Sequence, residues 1–300
     1  MTDWIAADWG TSHLRVWGMS QSGVVQFRKD SDAGMGRLSR DGFEPALLDL
    51  IGDQLGGDTT PVMVCGMAGS RQGWAEAAYK SVPCVPPSIE AATRVTTSDT
   101  RLSVHILPGV KQDAPADVMR GEETQIAGFL ALNPKFDGII CLPGTHTKWA
   151  HISAGEIVSF RTFMTGEMFA LLSENSVLRH TVGGTGWDAK AFADAVNTAM
   201  SNPTELAARL FSLRAEGLLH DLHVDVARAQ LSGFLIGAEL AAARPYWLGQ
   251  HVALIGDDIL CKAYADALGA QGLPVERTDA ERMTLEGLKA AYAILKERTS

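Results

Sequence analysis

Cysteine is scarce in this sequence and none of it is paired in spacing: Cys65, Cys84, Cys141 and Cys261 are scattered, with no C-x-x-C anywhere. This excludes a disulfide scaffold or a zinc ribbon, and three of the four stand in apolar runs, where buried reduced thiols belong. A cytosolic compartment is expected. No block of Lys or Arg offsets the formal net charge of −9, so nonspecific nucleic-acid binding is excluded, although a few local basic residues can still hold a small anion. No stretch approaches the ~20 apolar residues of a membrane helix, and the N-terminus carries no basic-then-apolar signal, so no membrane partner is expected. No GxxxxGK[ST] occurs, which excludes a P-loop as the phosphate holder. His220 and His223 lack the neighbours of a zinc site and read as surface histidines. A long Pro/Gly/Ser linker is also missing, so any two domains should touch along a hinged cleft.

What is present is a repeat. The strand-turn-strand around Asp8-Trp9-Gly10-Thr11-Ser12 recurs as Leu142-Pro143-Gly144-Thr145-His146-Thr147-Lys148. Two Gly-Thr hairpins facing one another can hold a polyphosphate with backbone N–H groups and hydroxyls. The first has a carboxylate, Asp8, where the second has Leu142. That asymmetry suggests a nucleotide-Mg²⁺ site, because Mg²⁺ is commonly held by one or two carboxylates plus phosphate oxygens.

The pattern around each hairpin repeats as well. Period-two alternation predicts a meander over residues 4–7, 13–19 and 24–28, then a helix over 42–55 and a buried strand over 61–65. A helix over 71–79, a strand over 104–107 and a helix over 120–132 complete the first half. The second half opens with a meander over 138–142, 148–153 and 156–163. Helices over 166–178, 189–200, 204–214 and 224–243 follow, then a strand over 251–255, a helix capped by Asp257 or Asp258, a strand over 274–277 and a closing helix over 286–298. The boundary falls near Asn133-Pro134, giving domains of residues 1–134 and 135–300. An α/β fold follows, with a five-stranded mixed sheet in each domain.

Several residues carry candidate chemistry. Asp8 ends an apolar strand, where an unpaired carboxylate would cost several kcal/mol, and a hydrated Mg²⁺ would satisfy it. Gly144 N–H and the hydroxyls of Thr145 and Thr147 would wrap phosphates, while Lys148 reads either as a further contact or as an outward-facing strand residue. Gly256-Asp257, between a strand and a helix, forms a turn on which a flat base can lie. Asp117, Glu122 and Glu123, around the start of a helix, compete as the carboxylate that accepts a proton from an attacking hydroxyl. Ser70, Arg71 and Trp74 follow a Gly-rich break, and Arg71 suits a carboxylate clamp. Arg161 and Glu167 could reach the cleft from the second domain.

Taken together, the doubled hairpin, the adenosine-type turn and the domain order resemble the actin-like sugar-kinase ATPase superfamily, whose domains are ribonuclease H-like. Within it, IAADWGTSHLRVW, CGMAGSRQGW, LPGVKQDAPADVMRGEETQIAGF, LPGTHTKWAHI and FMTGEMFALLSENSVL resemble the 2-dehydro-3-deoxygalactonokinase family, over about residues 4–295. The resemblance implies ATP-dependent phosphorylation of 2-dehydro-3-deoxy-D-galactonate at its 6-hydroxyl, with MgATP as donor. It assigns Asp8 to the metal side, Gly10, Thr11 and Ser12 to phosphate, and the sugar acid to the first domain. In the second domain it carries over Gly144 and Thr145 as phosphate contacts, beside Thr147, Gly256 and Asp257, which the residues themselves suggest as nucleotide contacts. Glu122, after Gly121, occupies the position of the superfamily's usual catalytic Asp. Only the Gly144-Thr145 core of the second hairpin carries over, because the Asp often found there is missing. A kinase of another acid, such as 2-dehydro-3-deoxygluconate, a non-catalytic ATP-binding sensor and a nucleotide or polyphosphate hydrolase are the competing readings. Homo-oligomerisation stays open.

Overall fold

The computed structural model describes residues 2–299. Its first half contains the meander β1 (Trp4–Trp9), β2 (Leu14–Met19) and β3 (Val25–Ser31), then α1 (Phe43–Ile51) and β4 (Thr60–Gly66). Short strands β5 (Tyr79–Ser81), β6 (Thr93–Val95), β7 (Leu102–Ile106), β8 (Gly109–Asp113) and β9 (Ala116–Met119) lead to α2 (Glu122–Leu132). The second half opens with β10 (Gly138–Leu142), β11 (Thr147–Ser153) and β12 (Glu156–Phe163). Next come α3 (Thr165–Asn175), α4 (Ala189–Ser201), α5 (Leu206–Leu219), α6 (Val224–Ala242) and the single turn α7 (Arg244–Trp247). Then β13 (Val252–Gly256), α8 (Asp258–Gly269), β14 (Glu276–Asp279) and α9 (Ala280–Thr299) close the chain. No helix among the described residues is long and apolar enough to cross a membrane.

The strands of the first half are ordered β3-β2-β1-β4-β7-β6, and those of the second β12-β11-β10-β13-β14. Without β6, the two orders correspond strand for strand in chain sequence. β1, β4 and β7 run parallel, as do β10, β13 and β14. Central parallel strands are covered on both faces, which explains why β1, β4, β10 and β13 are near-continuous apolar runs rather than alternating ones.

The expectation of five strands per half is corrected for the first. β6 adds a sixth, antiparallel to β7, and β5, β8 and β9 make a separate three-stranded sheet. These strands are three to five residues long, too short to leave a legible period. The helix expected over 71–79 is also absent. Instead the chain folds back on the turn Met67–Gly69: Ser70 N–H donates to Met67 O, Gly73 N–H to Ser70 O and Ala77 N–H to Gly69 O. A side chain at Gly73 would sit 2.3 Å from Ala68 O, so the return is as tight as glycine allows.

By contact, the chain divides into two units. One comprises Met1–Asp137, Ile152–Ser159 and Ala280–Ser300, the other Gly138–His151 and Phe160–Asp279. In the first, Trp9, Phe43, Leu47, Val62 and Val64 pack under the six-stranded sheet. In the second, Trp149, Phe192, Ile236, Leu254 and Tyr264 form the corresponding core.

Within the first unit α9 crosses α2 backbone to backbone. A Cβ on Gly128 would lie 1.9 Å from Met283 O, and one on Gly287 would lie 2.0 Å from Thr124 O. Nothing larger than glycine fits, so Gly287→Ala should cost about 1–3 kcal/mol, the usual penalty for overpacking, in a denaturant melt. A loss near zero would mean that the two helices can separate freely.

Candidate active site

In the first unit the chemistry collects at the C-terminal ends of the parallel strands, the usual ligand end of an open α/β sheet. Asp8 pairs in register with Cys65 across β1 and β4, and with Arg15 across β1 and β2. Arg15 Nη2 lies 2.9 Å from Asp8 Oδ2, and Arg15 Nη1 lies 3.4 Å from Glu281 Oε2 on α9. The Cys65 thiol approaches Asp8 Oδ1 at 3.8 Å. Burial pushes the Asp8 carboxyl above the ordinary aspartate range, and the Arg15 guanidinium pulls the other way. The expectation that Asp8 would be unpaired without a metal is therefore corrected: a cross-strand arginine already partners it. Among the described residues no group of three or more His, Cys, Asp or Glu could cage a metal ion.

The start of α2 lies at this same place. Gly66 ends β4 at φ 85°, Gly121 precedes α2 at φ 109°, and a side chain on Gly121 would come within 3.5 Å of Gly66 Cα. Both backbones are left-handed, a conformation that L side chains rarely adopt. Glu122 Oε2 accepts from Arg120 N–H at 3.0 Å, and Glu123 Oε2 accepts from Gly121 N–H at 2.7 Å. The hydroxyl of Thr124 meets Glu123 Oε1 at 3.1 Å. Glu123 is 1% exposed. Desolvation, reinforced by the neighbouring Glu122 carboxylate, pushes its carboxyl up to about 8. Asp117 lies on β9 opposite Gln112, where its Oδ1 accepts from Val118 N–H.

The first hairpin is braced from behind. Gly10 N–H donates to His13 O, while Met35 N–H and Gly36 N–H donate to Gly10 O and Thr11 O, and Trp9 Nε1 donates to Ala33 O. The side chains of Thr11 and Ser12 are exposed. After β4, Ser70 is buried, Arg71 is exposed and Trp74 joins Trp9 and Phe43 in an aromatic cluster. Trp74 thus supports the end of β1 by packing.

In the second unit, the structure brings the second hairpin beside the Gly256 turn. A Cβ on Gly256 would lie 3.2 Å from Pro143 O, and Asp257 caps α8 by accepting from Ile259 N–H at 2.9 Å. Gly166 backs the hairpin, since a Cβ there would meet Gly144 O at 2.2 Å, and Glu167 N–H donates to Thr145 O. Glu167 Oε2 also lies 2.6 Å from His146 Nε2, and Arg161 is exposed on β12. Thr147 is fully buried, its hydroxyl 3.0 Å from the Tyr264 hydroxyl, which donates to Glu239 Oε2 at 2.8 Å. Trp149 Nε1 donates to Glu239 Oε1, and the Thr165 hydroxyl completes the network at Oε2. Lys148 is buried rather than outward-facing, with Nζ donating to Thr162 Oγ1 at 2.9 Å.

Sequence reasoning passed over Arg15, Glu239 and Arg120. Arg15 was recoverable, because counting back along a tight Gly10 hairpin places it opposite Asp8 as a cross-strand charge pair. Glu239, a lone acid in the apolar run of α6, signals a buried polar network but not its partners.

A family model described as 2-keto-3-deoxy-galactonokinase matches residues 8–291. A protein of Rhizobium meliloti (strain 1021) named "Probable 2-dehydro-3-deoxygalactonokinase DgoK1" is 39% identical over 292 residues, covering 95% of each chain. The 2-dehydro-3-deoxygalactonokinase of Escherichia coli (strain K12) is 35% identical over 297 residues, covering 97% of this chain and 98% of its own. A crystal structure from Sinorhizobium meliloti, described under the same enzyme name, superposes with a TM-score of 0.89 at 37% identity, covering 97% of this chain and 99% of that one.

The buried Glu123 makes stability depend on pH. A folded carboxyl that holds its proton more tightly than the unfolded one contributes stability that is complete below about 4.5 and lost as pH rises through about 8. Thermal melts between about pH 6 and pH 9 should show a falling Tm, and Glu123→Gln, which cannot ionise, should fall less. Parallel slopes for the two proteins would mean that Glu123 is ionised in the folded state.

Proposed function

Given that the chain belongs to the 2-keto-3-deoxy-galactonokinase family, we propose that it transfers the γ-phosphoryl group of ATP to the 6-hydroxyl of 2-dehydro-3-deoxy-D-galactonate, in galactonate catabolism. The observation that carries the residue assignment is the meeting of Asp8 and the Gly121-Glu122 helix start at the ends of β1 and β4. A phosphoryl-transfer enzyme needs positioning and charge neutralisation more than covalent chemistry. It also needs one group that accepts the hydroxyl proton.

Glu122 is that group. Glu123 is buried and holds its own proton near neutral pH, so it cannot take another. Asp117 lies on β9, before the helix, and its Oδ1 accepts from Val118 N–H. Glu122 is held at the helix start by Arg120 N–H, and this contact fixes where it receives the proton. In the first unit Gly10, Thr11 and Ser12 contact phosphate, and Ser70 and Arg71 serve the sugar acid. In the second unit Gly144 and Thr145 contact phosphate, Gly256 and Asp257 take the adenosine, and Thr147 holds the hairpin through Tyr264 and Glu239. Two ribonuclease H-like domains, near residues 1–134 and 135–300, fit this division of labour.

The donor set at Asp8 suits a hydrated cation: one oxygen is taken by Arg15 while Oδ1 meets only the weak thiol partner of Cys65. When bound through water to Asp8, Mg²⁺ would supply charge neutralisation on the phosphates. Four buried free cysteines support a cytoplasmic location.

ATP consumption measured with and without the sugar acid tests the assignment. Consumption should require the acid, and the galactonate-derived acid should be turned over faster than the gluconate-derived one, from which it differs in configuration at C4. Equal consumption without any acid would make the protein a hydrolase, and none with either acid would leave a sensor. Glu122→Gln should lower kcat by roughly 10²-fold or more while ATP still binds. Near-normal turnover in that variant would make Glu122 a helix cap and place the base elsewhere.

A further inference from the structure

The described residues hold three buried side-chain polar atoms without a hydrogen-bond partner: Ser70 Oγ, Arg120 Nε and Arg120 Nη1. They converge. An ideal Cβ on Gly69, next to Ser70 in the chain, would lie 2.7 Å from Arg120 Nη1 and 3.1 Å from Ala77 Cβ. Arg120 Nη2 donates to Ala77 O at 2.7 Å, and the guanidinium lies 4.3 Å from the centre of the Tyr79 ring. Ser70 is 7% exposed. The guanidinium is therefore packed against the Gly69 turn, Ala77 and the exposed Tyr79, with Nε and Nη1 unpartnered.

This arrangement is costly unless something charged belongs there. Buried guanidinium N–H groups and a buried hydroxyl without partners each lower stability. The neighbouring acids have backbone partners of their own. Glu122 is committed to the backbone of Arg120 itself, and Glu123 to Gly121 N–H. The fold has also spent structure on this arginine: the three-stranded sheet β5-β8-β9 delivers Tyr79 at the start of β5 and Arg120 directly after β9.

We propose that Arg120 and Ser70 bind the C1 carboxylate of the sugar acid, with Arg120 Nη1 and the Ser70 hydroxyl as donors. The identity of the anion rests on the kinase reading above; the site itself does not. A 2-keto-3-deoxy acid carries its carboxylate and its 6-hydroxyl at opposite ends of a six-carbon chain. In this unit the Arg120 side chain starts from the backbone N–H that holds Glu122 and ends at the guanidinium. One residue thus relates the acid-binding end of the site to the proton-accepting end. An arginine contact also rewards a planar carboxylate over a neutral sugar. The enzyme would thereby select acids against the corresponding aldoses.

The test separates this site from the reaction. Arg120→Ala should raise KM for the sugar acid at least roughly tenfold, the scale of one lost charge-assisted hydrogen bond, with KM for ATP little changed. Arg120→Lys, which keeps the charge but presents one compact donor group, should fall between. Pyruvate, which has the same 2-keto carboxylate head and no hydroxyl to phosphorylate, provides a readout without turnover. It should raise the Tm of the wild-type protein and compete with the sugar acid, and do neither in Arg120→Ala. Ser70→Ala should melt higher than wild type without ligand, because an unpartnered hydroxyl is gone, yet gain less Tm from pyruvate. If Arg120→Ala does not fold, Arg120→Lys and Ser70→Ala decide the matter. Unchanged sugar-acid KM and unchanged pyruvate shifts in the folded variants would overturn the assignment, whatever the outcome of the turnover assay. Loss of turnover with the pyruvate responses intact in wild type would instead fault the kinase reading alone.

Discussion

The backbone contact between α9 and α2 governs the first unit. Gly128 and Gly287 let the two helices touch through their carbonyls, which sets the height of α2 against the sheet. The same α9 carries Glu281 to Arg15, and Arg15 holds Asp8. One helix therefore fixes both carboxylates of the candidate site, Asp8 by a chain of charge and Glu122 by the position of its helix. A displacement of α9 would move the two together, and in-line transfer tolerates little displacement of its reacting groups.

Three acids, Glu123 and Glu239 buried and Asp8 half-buried, show three ways of keeping a carboxylate largely out of water. Asp8 has a cross-strand arginine that opposes the upward push of burial. Glu123 has a backbone amide and a hydroxyl, too little to offset burial beside Glu122, and so keeps its proton. Glu239 is surrounded by Trp149, Tyr264 and Thr165, and those donors oppose the upward push of desolvation. These environments separate the chemical candidates from the structural ones more sharply than residue type does. Arg120 is the converse case, a cation with two buried guanidinium nitrogens and no hydrogen-bond partner for either.

The two units share a strand order, yet they are equipped differently. The first hairpin ends in Asp8 and faces a helix start rich in acid, whereas the second ends in Leu142 and is anchored by a buried hydroxyl network. Repetition supplies two equivalent scaffolds of parallel strand ends. Divergence at a handful of positions then places Asp8, Glu122 and Glu123 in one of them alone.

Sequence pattern alone was enough to reveal the repeat, the two hairpins, the long helices and the acidic start of α2, because period-two and period-3.6 burial leaves its mark on neighbouring residues. It placed Glu122 and Glu123 at one helix start but could not rank them, since the ranking depends on which carboxylate the fold dries out. It misread residues 71–79 as a helix and missed β5, β6, β8 and β9, whose pairing partners lie far away along the chain. Thr147 looked like a phosphate contact until Tyr264, more than a hundred residues later, claimed its hydroxyl. Arg120 stood in plain view beside Gly121, but only the return of the chain through Gly69 and Ala77 shows that two of its guanidinium nitrogens are buried without a partner. Local order is written in local residues. Burial and unmet charge are properties of what the distant chain brings alongside, and those only the tertiary structure decided.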